Sequence, residues 1–558
     1  MAKKDNKRTG GQLLVDSLLA NGVEQAFCVP GESYLAVLDA FYDAAEIDLV
    51  VCRQEGGAAM MAEAHGKLTG RPGICFVTRA PGATNASAGV HIAYQDSTPM
   101  ILFIGQVVRD MRDREAFQEI DFRRMFGEMT KWTAEIDAAA RVPEYVSHAF
   151  HLATSGRPGP VALALPEDML NDLATPSPIA PAVIVQAHPG GKEMARLREL
   201  LANAERPLAI LGGGGWDADA CHHIQRFVEA NDLPVTCSFR CQDLFDNEHA
   251  NYAGDVGIGI NPKLGSRFWD ADLLLAIGPR LGEISTSGYT LIDIPVPKQP
   301  LVHVHPGPEE LGRVYRPEMA INAGMQAFAE AAAAMEPVGG DWRDWTQSAR
   351  EDYLAWNEPA PIPGDLQLGE VVKWLRENLP ADSIVCNGAG NYSTWVHRFF
   401  RYRGFRTQLG PTSGSMGYGV PAAISAKRFY PDRTVVAFAG DGCFLMTGQE
   451  LATAIQYNIN IVIIIVNNAM YGTIRMHQER HYPGRVSGTN LVNPDFADLA
   501  RAYGAHGETV TRTEDFAPAF ERAETSDKPA VIELRIDPEA ITPSVTLSGI
   551  RDAAKSKA

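Results

Sequence analysis

Residues 434–473 read TVVAFAGDGCFLMTGQELATAIQYNINIVIIIVNNAMYGT. The apolar run 435–439 predicts a buried strand. It leads straight into Gly440-Asp441-Gly442. A helix-like pattern covers 444–457, and 461–466 is a second apolar strand ending in Asn467-Asn468, with Gly472 just beyond. A strand–helix–strand unit is right-handed, and both strands deliver their C-terminal ends to one edge of the sheet. Asp441 and Asn468 are therefore expected to face each other across a crevice. A carboxylate plus an amide oxygen suits Mg²⁺, which takes the rest of its octahedral shell from water and phosphates. Gly440, Gly442 and Gly472 would let backbone N–H groups approach a diphosphate. A Gly-Asp-Gly alone is an ordinary turn after a strand. Followed by helix, strand and double Asn, it reads as a metal and diphosphate site.

The same alternation extends outward in both directions. Strands are expected at 25–29, 48–52, 73–78 and 100–104; at 207–211, 234–237, 273–277 and 301–304; and at 383–386, 434–439, 461–466 and 530–534. Segments long enough for helices lie between them. Short buried strands alternating with helices predict parallel sheets covered on both faces. Two proline-rich stretches divide the chain, one near 171–189 and one running from Pro337 through Pro363. The expected fold class is α/β, with three doubly wound parallel-sheet domains over 1–175, 190–340 and 360–545 and a tail over 546–558.

Composition narrows the function. A net charge of −18 argues against nucleic acid as the main partner. The apolar run 461–466 falls far short of the ~20 residues a membrane helix needs. Lys3, Lys4, Lys7 and Arg8 are not followed by an apolar segment, so no secretory signal is expected. Eight cysteines are scattered without a CxxC pair, which fits reduced thiols in a cytoplasmic protein rather than structural zinc.

The 434–473 segment resembles the thiamine-diphosphate motif. The resemblance implies that Asp441 and Asn468 bind the metal and that Met470 adds a backbone carbonyl. In block one, Arg53-Gln54-Glu55-Gly56-Gly57-Ala58-Ala59 is similar to the family's segment in which a glutamate hydrogen-bonds N1′ of the cofactor's aminopyrimidine, which makes Glu55 the activating residue. Taken alone, Glu55 would read as a solvated loop acid. Ser413-Gly414-Ser415-Met416-Gly417 resembles the element that binds the pyrimidine edge and bends the cofactor, with Gly414 and Met416 in those roles. The order of the domains, pyrimidine-binding, middle and diphosphate-binding, is that of the acetohydroxyacid (acetolactate) synthase and pyruvate oxidase group.

Further segments are similar to the synthases. Ala116-Phe117-Gln118-Glu119 matches a stretch whose Phe and Gln line the active site, so Phe117 and Gln118 join the catalytic candidates. Arg157-Pro158-Gly159-Pro160-Val161 and Asn493-Pro494-Asp495-Phe496 match as well. The resemblance implies decarboxylation of a 2-ketoacid to an enamine that adds to a second carbonyl, in a homodimer or homotetramer. A 2-ketoacid decarboxylase, an oxalyl-CoA-type decarboxylase and a sulfoacetaldehyde acetyltransferase share the architecture. The sequence leaves the presence of a regulatory subunit open. It also departs from the synthases. Glu167 stands where they carry a Lys, His477 where they carry a Trp, and Glu32 near a position where they carry Gly-Gly. In the middle block, Gly212 to Gly215 follow a strand as in flavin-binding relatives. His303 and His305 stand where those relatives have an acidic pair, and Leu281-Gly282-Glu283 replaces the synthases' Phe-Asp-Asp after Arg280. FAD, ADP, an acyl-CoA or no ligand are all open occupants of the middle domain, and turnover is expected not to require FAD.

Overall fold

The computed structural model describes residues 7–556, and three six-stranded, all-parallel sheets run through those residues. Lys3, Lys4 and the last two residues of the expected tail lie outside them. The first sheet has the spatial order Asp48–Val51, Gln25–Cys28, Gly73–Val77, Met100–Gln106, Pro160–Pro166, Trp132–Glu135. The second runs Tyr252–Val256, Val235–Ser238, Pro207–Leu211, Leu273–Ile277, Leu301–His305, Met319–Asn322. The third runs Gln408–Leu409, Ile384–Asn387, Val435–Gly440, Val462–Asn467, Ala530–Arg535, His506–Val510. The α/β class expected from the alternation is what the chain adopts.

Burial explains the apolar strands. In the second sheet, Ala209, Leu211, Leu273, Leu275 and Ile277 belong to one apolar cluster, while Leu208, Ile210, Leu274 and Ala276 belong to another. Successive side chains point to opposite faces of a strand, so both faces of this sheet are packed. That is why its strands read as continuous apolar runs rather than alternating ones.

The described residues up to Val185 form one compact unit and those from Gln186 onward a second. The proline-rich segment after 171 packs on the first unit: the Ala182 N–H donates to Asn21 Oδ1 at 2.9 Å and the Val185 N–H to Ser155 Oγ at 3.2 Å. Within the second unit the middle and third sheets are joined by buried polar contacts. Arg240 donates to the carbonyls of Pro411 and Gly388, and Gln242 Nε2 donates to the His397 carbonyl.

The third sheet positions the site. The chain goes from Ile384–Asn387 to one neighbour, Gln408–Leu409, and then crosses to the other side at Val435–Gly440. The gap between Ile384–Asn387 and Val435–Gly440 is a topological switch point, where open α/β sheets bind ligands beyond the strands' C-terminal ends. Register aligns Gly440 with Val466, which sets Asp441 beside the Asn467-Asn468 pair. The helix after this strand differs from the expected 444–457. It starts at once as Asp441–Thr447, tightens into the 3₁₀ turn Gly448–Glu450, and resumes as Leu451–Gln456. Buried Glu450 sits in that turn and accepts from the Thr453 hydroxyl at 2.6 Å.

Candidate functional site

A cavity of about 880 Å³ opens at this switch point within the second unit. Gly414, Met416, Gly440, Asp441, Gly442, Asn468, Met470 and Gly472 all line it. The structure thus brings together eight candidates that are spread over some sixty residues of sequence. The rest of the wall comes from the Gly390-Asn391-Tyr392 turn, the helix Gly472–His481 and middle-block residues such as Phe239 and Asp255.

Asp441 is 3% exposed. Its Oδ1 accepts from the Gly442 N–H at 2.9 Å, and its Oδ2 accepts from Asn493 Nδ2 at 2.8 Å. Burial pushes this carboxyl above the usual aspartate range. The Gly442 N–H, the Asn493 amide and the Ala469 and Met470 N–H groups pull it back down. Asn493 also donates to Asn467 Oδ1 at 3.0 Å, and Asn467 Nδ2 donates to buried Glu533 Oε1 at 2.7 Å. Asn467 is therefore a brace behind the site, and Asn468 is the member of the pair that lines the cavity. Its Oδ1 accepts from the Met470 N–H at 3.3 Å across Ala469, whose φ is 54°.

The donor set fits a hard cation. It offers a carboxylate, an amide and a backbone turn, and it leaves open positions for phosphate oxygens. Gly442 is held to a glycine by close packing: a Cβ there would lie 2.6 Å from the Tyr471 ring. Asn493 adds a side-chain donor to the backbone N–H groups that hold Asp441, from 52 residues away in a segment marked in the sequence only by its resemblance to the synthases.

The first unit carries the other three candidates. Glu55 is the first residue of the helix Glu55–Thr69, which Gln54 caps by accepting from the Gly57 N–H at 3.0 Å. Glu55 Oε2 accepts from Asn85 Nδ2 at 2.9 Å. Asn85 sits on the helix Ala80–Asp96, and the first N–H of that helix, from Ala80, donates to the Gln118 carbonyl at 3.2 Å. The Phe117 carbonyl accepts from Arg79 Nη1 at 3.4 Å, just before the same helix. Glu55, Phe117 and Gln118 therefore converge on one helix start. Phe117 is 71% exposed, and Gln118 holds a left-handed φ of 64°. Glu167 does not stand free here, since it accepts from Arg79 Nη2 at 2.6 Å.

Comparison with known proteins gives the family. Three family models match: the thiamine pyrophosphate enzyme N-terminal TPP binding domain over residues 8–125, the central domain over 194–332, and the C-terminal TPP binding domain over 388–534. The chain belongs to the thiamine pyrophosphate enzyme family. It is similar to the acetolactate synthase large subunit of Corynebacterium glutamicum, at 32% identity over 96% of this chain and 88% of that protein. It is 31% identical to the acetolactate synthase isozyme 2 large subunit of Escherichia coli, over 95% of each chain. The probable acetolactate synthase large subunit of Methanocaldococcus jannaschii matches at 30%, over 97% of this chain and 94% of that one.

In the middle block, residues that would meet a flavin dinucleotide already have partners within the chain. A Cβ on Gly213 would lie 2.1 Å from the Gly278 carbonyl oxygen, so these glycines serve the close approach of two strand ends. The Trp216 indole N–H donates to the Gly212 carbonyl at 2.8 Å and is buried there. Arg280, the candidate phosphate ligand, pairs at 3.2 Å with Glu310, which is itself buried. His303 is buried with Nε2 2.9 Å from the Pro279 carbonyl oxygen, and burial lowers its pKa, so it stays neutral and offers no carboxylate to a ribose.

Among the described residues, no helix is long and apolar enough to cross a membrane.

Proposed function

We propose that this chain is a thiamine-diphosphate- and Mg²⁺-dependent carboligase of acetolactate synthase type. It decarboxylates a 2-ketoacid and joins the remaining fragment to a second carbonyl compound. The observation that carries the reading is the convergence of Asp441, Asn468 and Met470 at the switch point of a chain that aligns almost end to end with acetolactate synthase large subunits. The active form is a homodimer or homotetramer in the cytoplasm. Free thiols at all eight cysteines suit a reducing compartment.

When bound, thiamine diphosphate supplies a nucleophilic carbon and a sink for the electron pair released as CO₂ leaves. Asp441, Asn468 and Met470 would hold the metal. Gly440, Gly442 and Gly472 would admit the diphosphate to backbone N–H groups. Gly414 and Met416 would seat the pyrimidine, with the Met416 side chain setting the bend. Glu55 would hold a proton at N1′ of the aminopyrimidine, and the Asn85 amide orients its carboxylate. Phe117 and Gln118 would line the substrate side. No step is assigned to a flavin.

The test is a panel of 2-ketoacids with products identified, run with and without an added carbonyl acceptor. Wild type is expected to release CO₂ and form a carbon–carbon bond. Asp441→Ala is expected to bind no thiamine diphosphate at ordinary Mg²⁺ by calorimetry. Full cofactor affinity in that variant, or no CO₂ from any 2-ketoacid, would overturn the assignment.

A further inference from the structure

Thr473, Met476, His477 and Arg480 all line the cavity from the helix Gly472–His481. Their spacing of i, i+3, i+4 and i+7 makes one stripe along the helix. At the cofactor end, the Thr473 hydroxyl donates to Asn391 Oδ1 at 2.8 Å. The side turned away from the cavity is pinned by Glu479, which is 0% exposed. Glu479 accepts from Arg551 Nε and Nη2, each at 2.8 Å, from Arg475 Nε at 3.1 Å and from the Gly484 N–H at 2.8 Å. Glu479 thereby ties the helix to Arg551 and to the turn at Gly484. At 1.5 Å of rise per residue, Arg480 sits about 10 Å along the axis from Thr473.

Three guanidinium groups line the cavity, and two are committed. Arg240 donates to the Pro411 and Gly388 carbonyls. Arg398 donates to the Trp356 carbonyl and to Ser544 Oγ at 2.8 Å each, and lies over the Trp356 ring. Arg480 has no hydrogen-bond or ion-pair partner among the described residues. Of the acids lining the cavity, Asp441 belongs to the metal set, and burial pushes Asp255 up to about 7. Glu283 is the third acid among the lining residues.

We propose that Arg480 is a specificity-determining residue that binds the anionic end of an extended acceptor substrate, with His477 beside the acceptor's chain. The inference rests on the carboligase reading and deepens it by naming the class of acceptor. That class is a carbonyl compound whose chain ends in a carboxylate, sulfonate or phosphate, well away from the reacting carbon. A guanidinium is suited to such a group because it presents a planar fork of donors that stays charged at all working pH values. One charge-assisted contact of this kind is worth about 10- to 100-fold in discrimination.

The test pairs two four-carbon acceptors, succinic semialdehyde and butyraldehyde, with pyruvate as donor. Wild type is expected to favour succinic semialdehyde at least tenfold in kcat/KM. Arg480→Leu is expected to reduce that preference at least tenfold, chiefly through KM, and Arg480→Lys to restore part of it. Calorimetry with succinate provides a readout independent of turnover: binding to the wild-type holoenzyme should weaken at least tenfold in Arg480→Leu. Equal use of both acceptors by wild type, or an unchanged preference in Arg480→Leu, would overturn the proposal. So would a variant that changes subunit assembly in sedimentation while keeping the preference. Wild type that releases no CO₂ from pyruvate or any other 2-ketoacid would instead overturn the carboligase reading, and this inference with it.

Discussion

Asn493 Nδ2 lies 2.8 Å from the Asp441 carboxylate and donates to it. The contact fixes the carboxylate's orientation and stabilises its charge in a buried setting, so the proposed metal ligand is held ready for a cation. Asn493→Ala would leave Asp441 with its backbone donors only. The expected result is about tenfold weaker binding of thiamine diphosphate with Mg²⁺, equivalent to one hydrogen bond of ~1.4 kcal/mol. Calorimetric titration checks it, and unchanged affinity would show that the backbone alone orients Asp441.

Glu55→Gln is expected to lower turnover about 10²–10⁴-fold while thiamine diphosphate stays bound. Glutamine can still meet the Asn85 side chain and a ring nitrogen, but it cannot share a proton. The loss should fall on kcat rather than on cofactor affinity. The decisive measurement is H/D exchange at C2 of the bound cofactor. Exchange as fast as in wild type would remove Glu55 from its proposed role.

Glu479 contributes to stability in a pH-dependent way. Arg551, the Gly484 N–H and Arg475 hold its carboxyl at about 2, well below the ordinary glutamate range. A depressed acid stabilises the fold fully above its unfolded pKa, and the contribution disappears as pH falls through the folded one. Arg551→Leu should therefore cost about 1–3 kcal/mol near neutrality and progressively less as the pH falls from the glutamate range toward 2. Urea unfolding at several pH values checks this, and a pH-independent difference would contradict it.

The purified protein is expected to turn over without FAD. Its Arg280 is already paired with Glu310, and His303 and His305 occupy the strand end where a ribose-binding carboxylate would stand. Absorbance near 450 nm and activity after flavin stripping provide the check. Yellow protein that loses activity when stripped would refute the expectation.

Much of this was legible in the sequence because it is local. The central strands are buried on both faces, so they read as unbroken apolar runs. Gly440-Asp441-Gly442 and Asn467-Asn468 sit at strand ends, where side-chain chemistry is not masked by packing. The helix starts three residues before the expected 444 because Asp441 itself opens it, and an acid at that position reads equally well as a turn. The edge strands Tyr252–Val256, Met319–Asn322 and His506–Val510 escaped notice because half-exposed or polar residues such as Asp255, Glu508 and Asn322 interrupt their apolar pattern. The Asn493 contact could not be read from spacing, since it depends on how a loop folds back across the sheet edge.

The tie between Glu479 and Arg551 also sets an order of events during synthesis. Glu479 leaves the ribosome 72 residues ahead of its partner. Until Arg551 emerges, the carboxylate has only Arg475 and the Gly484 N–H as donors. The last donor to this carboxylate is thus also the last to be synthesised, so the helix Gly472–His481 gains its tie to Leu547–Lys555 only after every strand of the third sheet has been made.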